Sequence, residues 1–370
     1  MKIYTSSIRQ LTNQQGVTAI IVAIMMVMFL GFAALAVDVG FTLVTRNQLQ
    51  NVSDAASLAA TRKLGSIYEP MSYTAQQSYI CDPATIIPVA QAVSIQNQAA
   101  GKNITVNDAD VIIGQWKKDD VTGKWDINPT LNQPDAVKVI ARRDISAMSL
   151  EGPITTFFAK IFGINTLDVK ADAIAALTGQ STAGEGGLKI PVGISKARFE
   201  SPYCDREIHF YPTNDPLSCG GWNTFTGDKY PPNAGVNGLP ALLNDLKDGK
   251  YESPETRAGE TVFTFTGGTL ASVFDEMKAL FDANKISDAT SPSGYSWTAT
   301  VAVYDSANCS NPNPGDTLKI VGFAEIKITE VLESPDKIID GLIKCNYVAP
   351  DSRGGGGEYG TKGSIPGLVE

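Results

Sequence analysis

The sequence predicts an α+β protein built on one membrane helix. A single N-terminal transmembrane helix is extended by an amphipathic helix and followed by two mixed α/β extracytoplasmic modules with mainly antiparallel sheets. Three observations predict this. No charged residue lies between Arg9 and Asp38. Helical periodicity continues past Asp38 to Gly65, and beyond residue 100 short alternating segments separated by turn residues dominate.

The first element is the run VTAIIVAIMMVMFLGFAALAV from Val17 to Val37, apolar apart from Thr18. At a rise of about 1.5 Å per residue it crosses a hydrocarbon core of about 30 Å. Lys2, Arg9 and the α-amino group precede it, whereas Asp38 follows it and Arg46 comes only later. The excess of cations on the short side keeps residues 1–15 in the cytoplasm as a leader and exports the bulk of the chain. A single-pass membrane protein is expected, with the lipid of that membrane as its first partner and the bulk of the chain on the far side.

Three fates of this segment remain open, with a retained anchor preferred. Ala34-Leu35-Ala36 before Val37 satisfies a signal-peptidase pattern, although the apolar run exceeds an ordinary h-region and its periodicity passes through the cleavage point. Gly16 before Val17 is similar to a prepilin-peptidase junction. Pilins of that kind usually carry a glutamate five residues into the mature chain, where this sequence has Ile21.

After Asp38-Val39-Gly40 the segment FTLVTRNQLQNVSDAASLAATRKLG predicts an amphipathic helix ending at Gly65, a plausible left-handed stop. Leu49, Val52, Ala55, Ala56, Ala59 and Ala60 fall on one face whose later half is small, which permits close backbone approach. Packing on the chain's own exported part is preferred over a partner helix. The continuous stretch from Gly16 to Ala60 resembles the N-terminal segment of TadG-like proteins of the Tad/Flp tight-adherence pilus system. The resemblance is carried by Gly16, the Ala36-Val37-Asp38-Val39-Gly40 exit, Arg46, and the helix through Leu49-Gln50-Asn51 and Ala55-Ala56-Leu58-Ala59. It covers residues 16–65. It implies a bacterial envelope component, single-pass in the inner membrane with inner-membrane lipid as a partner and its bulk in the periplasm or at the cell surface, that contributes to assembly or anchoring of the pilus through contacts with other Tad/Flp proteins, and it implies no enzyme.

Some relatives of that kind carry a von Willebrand factor A-type metal site. The strand Thr298–Asp305 has the required character, but Ala307 and Cys309 stand where ligand hydroxyls are needed, so the site is rejected.

The module 66–180 is read as pilin-like α+β. It holds a helix over 88–100 closing at Gly101, strands at Ile104–Val106, Val111–Trp116 and Ala136–Ala141, a hairpin through Thr122-Gly123 to Trp125, a short helix Ile154–Ile161 and a strand Leu167–Ala176. Gly179–Gly187 marks a boundary. The module 181–350 is expected to be β-rich, with an ordered loop over Asn214–Gly238. Thr269 is read as the cap of a helix whose stripe is Leu270, Val273, Phe274, Met277, Leu280 and Phe281, and strands are read at Thr261–Phe265, Trp297–Tyr304 and Leu318–Ile328. Residues 351–370, with Gly354 to Gly357, are expected to form a flexible tail.

All five cysteines follow the span, and none forms a CxxC pair or metal cluster, which fits oxidation outside the cytoplasm. Cys204 with Cys219 and Cys309 with Cys345 are the expected disulfides, leaving Cys81 free or paired between chains. A net charge of −9 repels phosphate backbones and argues against nucleic acid. One histidine, His209, excludes sites needing several imidazoles, and in the alternating segment Glu207–Tyr211 it reads as structural. Asp119, Asp120 and Asp126 flank a hairpin without calcium-loop spacing, and Gly267-Gly268 lacks the lysine of a phosphate-binding loop. The sequence thus assigns no catalytic, cofactor or metal residue and no small-molecule substrate.

Overall fold

The computed structural model describes residues 14–119, 122–200, 202–210, 219–225, 229–230, 238–266, 271–309 and 313–369. Helix α1, Gln14–Tyr68, contains 55 residues and is unbroken. At about 1.5 Å per residue it measures about 80 Å. The residues read as a cytoplasmic leader lie largely outside the described ones, and the Gly16–Val17 junction falls within the first turns of α1.

Gly65 does not end α1. A Cβ at this position would lie 2.0 Å from the carbonyl oxygen of Ser364, so its use is close approach of a second backbone rather than a left-handed cap. Past a short helical turn over Tyr73–Gln77, α2 spans Pro83–Ser94, beginning and ending earlier than the periodicity suggested. Asp82 caps it by accepting from the Ala84 amide, Pro83 occupies the first turn, and Pro88 lies inside.

The first sheet contains β1 (Val111–Lys118), β2 (Trp125–Pro129), β3 (Ala136–Arg143) and β4 (Val169–Ala176). All its pairings are antiparallel, in the spatial order β4-β3-β1-β2. Alternate residues of β3, including Val137, Val139 and Ala141, point into the layer covered by α1 and α2. No strand forms over Ile104–Val106, where both end residues are nevertheless buried.

The expected helix Ile154–Ile161 is corrected as well. Ile154 and Thr155 pair with Leu167 and Thr166, and only Ala159–Phe162 coils, as a 3₁₀ turn closed by Gly163 at φ 82°. The reason lies elsewhere in the chain: in a helix starting at Ile154 the amides of Phe158 and Ala159 would donate to the carbonyls of residues 154 and 155, whereas here Asp38 takes them.

The second sheet is built from β5 (Val192–Ser195), β6 (Glu207–Phe210), β7 (Gly220–Trp222), β8 (Val262–Thr264), β9 (Tyr295–Tyr304), β10 (Thr317–Leu332) and β11 (Ile338–Lys344). Its order is β6-β11-β10-β9-β5-β7, with β8 beside the start of β10 and the two-residue strand Ile286–Ser287 beside the start of β9, and only β5 and β9 run parallel. Helices α3 (Gly238–Lys247) and α4 (Ala271–Asn284) share its core. Of the α4 stripe, Val273, Phe274, Met277, Leu280 and Phe281 are buried, whereas Thr269, Leu270 and Gly267-Gly268 lie outside the described residues. Much of the loop 214–238 lies outside them too.

The C-terminal residues overturn the expected flexible tail. β12 (Tyr347–Arg353) and β13 (Thr361–Ile365) pair in parallel, and β14 (Gly367–Leu368) joins the first sheet beside β4. Gly356 donates to the Gly179 carbonyl and Gly357 to that of Val321, while a Cβ on Gly356 would meet the Gln180 carbonyl at 2.1 Å. Gly356 and Gly179 are selected by the close approach of another backbone, and Gly357 by the Tyr359 ring that a Cβ would meet at 2.3 Å.

The cysteine pairing is also corrected. Cys204 bonds Cys345, and Cys219 bonds Cys309. Sheet adjacency decides this, not sequence proximity. Cys204 precedes β6 and Cys345 follows β11, its antiparallel neighbour, while Cys219 precedes β7 and Cys309 follows β9 on the far side of β5. Cys81 is a thiol only 2% exposed, which leaves almost no sulfur surface for a second chain.

Candidate functional site

Helix α1 passes through two environments. Within its apolar half an 18-residue window of mean hydropathy 2.9 has none of its residues buried, so Ile20, Met28, Phe29 and their neighbours are uncovered by the protein. A helix that is hydrophobic all round and uncovered is long and apolar enough to cross a bilayer.

Beyond Arg46 the same helix lies on the first sheet. Leu49, Val52, Ala56, Ala60 and Leu64 are fully buried, and Ala55 and Ala59 partly so. The small face brings the helix close enough for its hydroxyls to bond the sheet backbone. Ser53 Oγ donates to the Ala171 carbonyl at 3.0 Å and accepts from the Ala141 amide at 3.2 Å, bridging β4 and β3. Thr61 Oγ1 donates to the Ala175 carbonyl at 3.1 Å. Such bonds satisfy groups that burial would otherwise strand.

Between these halves is Asp38, 3% exposed. Its carboxylate accepts from the amides of Phe157 at 2.7 Å, Phe158 at 3.0 Å and Ala159 at 2.6 Å. Burial raises the carboxyl pKa, but the three amides and Lys160 outweigh it and hold it below the usual range. An ionised side chain one residue past the apolar run therefore fastens the 154–167 hairpin to the helix, and Phe157 adds an edge-on contact with Phe41 at 5.2 Å.

At the other end of α1, Tyr68 donates to the Pro134 carbonyl at 2.8 Å. Gln76 joins the Tyr68 carbonyl to both backbone groups of Val348 in β12. A cleft of about 310 Å³ opens between the two sheets, lined by Trp116, Trp125, Asp135, Lys362 and the Cys204–Cys345 bridge among others. Trp116 and Trp125 stack at 5.8 Å, and Lys362 bonds Asp135. Burial lowers the Lys362 pKa, yet the Asp135 carboxylate reverses this and leaves it raised.

The remaining sequence candidates are dispersed. His209 Nδ1 lies 2.5 Å from an Asp340 carboxylate oxygen on the neighbouring strand β11. Asp305 pairs with Lys196, and Cys309 is committed to its disulfide. Asp119 accepts from Thr122 across the hairpin turn, while Asp120 lies outside the described residues. Among the described residues no cluster of His, Cys, Asp or Glu is arranged to hold a metal ion.

Sequence reasoning missed the Asp38 clamp and the apolar hairpin tip that it fastens. The signal for the tip is present in Phe157, Phe158, Ile161, Phe162 and Ile164, a dense apolar run with Lys160 as its one charge, but it reads equally well as a buried helix.

Residues 16–65 match the family model described as Flp pilus-assembly TadE/G-like, and residues 73–175 match that described as Tad-like Flp pilus-assembly. Over these residues the chain is similar to TadG-like Tad/Flp pilus-assembly proteins. The two matches divide this TadG-like part into α1 and the α2–first-sheet layer that α1 covers. They support a role in Tad pilus assembly at this level. No curated protein and no solved structure matches the chain.

Proposed function

We propose that the chain is a membrane-anchored extracytoplasmic component of the Tad/Flp pilus apparatus, with its N-terminus cytoplasmic, that serves assembly or anchoring through protein contacts. The observation that carries this is the unbroken helix α1, whose apolar half is bare and whose polar half is built into a sheet. No joint separates anchor from exported body, so force or position at the membrane is transmitted without a hinge. Distributed contact surfaces suit such a part, and the reading is of a structural component rather than a catalyst. The modules 66–180 and 181–350 are proposed as its contact-bearing units.

Deletion of the gene, with surface fibres counted by microscopy, tests the role: fibres should be lost and should return with the full chain. Normal fibres in the deletion strain would end the assembly reading. Alkaline carbonate should leave the protein in the membrane pellet.

A second reading is favoured by the start of the family match at Gly16. Cleavage there would make a minor pilin-like subunit beginning at Val17, packed in the fibre by its apolar half. The mass of the native N-terminal peptide separates the two, because an end at or near Met1 supports the anchor and a methylated Val17 supports the subunit. An end at Val37 in the soluble fraction would instead make a secreted binding protein, although α1 runs through Ala36–Val37 without interruption.

A further inference from the structure

The 154–167 hairpin projects its most apolar residues away from the protein. Ile161 and Phe162 are each 76% exposed, and Phe157, Phe158 and Ile164 are between 41% and 50% exposed. Large apolar side chains grouped in this way on a soluble surface mark an interaction site. The hairpin is not loose: Ile154 pairs with Leu167, the Thr156 hydroxyl donates to the Ile164 carbonyl at 2.6 Å, and Asp38 takes three successive amides.

The position of the clamp decides what meets this tip. Asp38 directly follows Val37, the last residue of the apolar run, so the hairpin is held where α1 leaves the hydrocarbon. On α1 itself Val39, Leu43 and Val44 remain about half exposed past that point, extending the apolar rim by roughly 10 Å at 1.5 Å per residue. Within the hairpin the sole charge is Lys160, a cation whose stem can lie along apolar surface while its head reaches phosphate. Aromatic and aliphatic side chains with one cation are the composition of segments that lie at the headgroup–acyl boundary. A protein partner would more often be met by polar groups at the rim of such a patch.

We propose that the tip Phe157–Ile164 inserts into the outer leaflet of the membrane beside α1 as a second, monotopic contact. Asp38 sets its depth. One helix alone leaves the exported body free to tilt and spin about the helix axis, whereas two contacts fix both. This rests on the reading of α1 as membrane-spanning, and the test separates the two.

The full chain is reconstituted in phosphatidylcholine–phosphatidylglycerol vesicles, with or without bromine on the acyl chains, as three separate variants: Met28→Trp, Phe162→Trp and Ile286→Trp. Emission is compared with that of the unsubstituted protein. The first two should lose emission in brominated lipid, and the third, exposed on the second module, should not. Quenching at position 28 but not at 162 overturns the insertion and leaves the span standing. No quenching at 28 removes the span, and the insertion with it. Blue-shifted but unquenched emission at 162 indicates a protein contact in place of lipid and also overturns the proposal. Phe162 touches the surface only, so its replacement leaves the fold intact, and Ile161→Trp read in the same way provides an independent check.

Discussion

The two sheets are covered by different means. The first is roofed by α1 with Ala, Ser and Thr, and its stabilisation comes from a helix lying close enough to bond strand backbone. The second has a thick aromatic core, with Phe263, Phe274, Phe323 and Tyr304 fully buried and Phe265, Phe281, Trp222 and Trp297 around them, and two disulfides clamp its edges. Close helix–sheet contact couples the first layer rigidly to α1, while bulk and covalent closure make the second self-sufficient. A layer of small residues has little volume to lose and none to gain, and an aromatic core tolerates neither cavities nor stray charge.

Removing the disulfides should break the comparison most strongly. The bridges close loops of 141 and 90 residues. Cys219→Ser with Cys309→Ser should lower stability by about 4 kcal/mol. Hydrogen exchange should report the loss in β5, β7 and β9 while amides of β3 and β4 under α1 keep their protection.

Next comes the charge buried in the second sheet. Glu325 is 4% exposed, accepts from the Thr300 hydroxyl at 2.7 Å, and has its pKa pushed up from 4.5 to about 7 by burial. Below the unfolded value both states hold the proton. Between 4.5 and about 7 the unfolded chain ionises first, so stability should fall across that window, by about 3 kcal/mol, and level off above it. Glu325→Gln should flatten this slope in denaturant midpoints measured on either side of the window, leaving the first layer unaffected.

Overfilling sharpens the contrast from the other side. Gly65→Ala drives a methyl into the Ser364 carbonyl and should cost about 2 kcal/mol, loosening β13 and β14 to limited proteolysis. Gly31→Ala, with nothing within 4 Å in the apolar half, should leave unfolding unchanged. The smallest effect is expected at the hydroxyl bridge: Ser53→Ala strips the β3–β4 bond and should cost about 1 kcal/mol, read as faster exchange of the Ala141 amide.

Much of the fold was legible because local pattern and environment agree. The α4 stripe, the alternation in Ala136–Arg143 and Tyr295–Tyr304, and the uncharged stretch before Asp38 each declare their element. The errors share a different cause. Gly65 and Gly356 were read by conformational freedom, when crowding by a distant backbone selects them. The hairpin 154–167 was read by its periodicity, when a carboxylate more than a hundred residues earlier takes its amides.

By itself the sequence determined the apolar length of α1, the small face that follows it, the β-rich character of the second module and the resemblance to TadG-like proteins. These are properties of composition and short-range spacing, which every residue carries with it. Only the tertiary structure decided that Cys204 meets Cys345, that the last strand returns to lie beside β4, and that Asp38 holds an apolar hairpin at the end of the apolar run. Each depends on which segments meet in space, and loop closure over a hundred residues or more leaves no local mark on the residues that will meet.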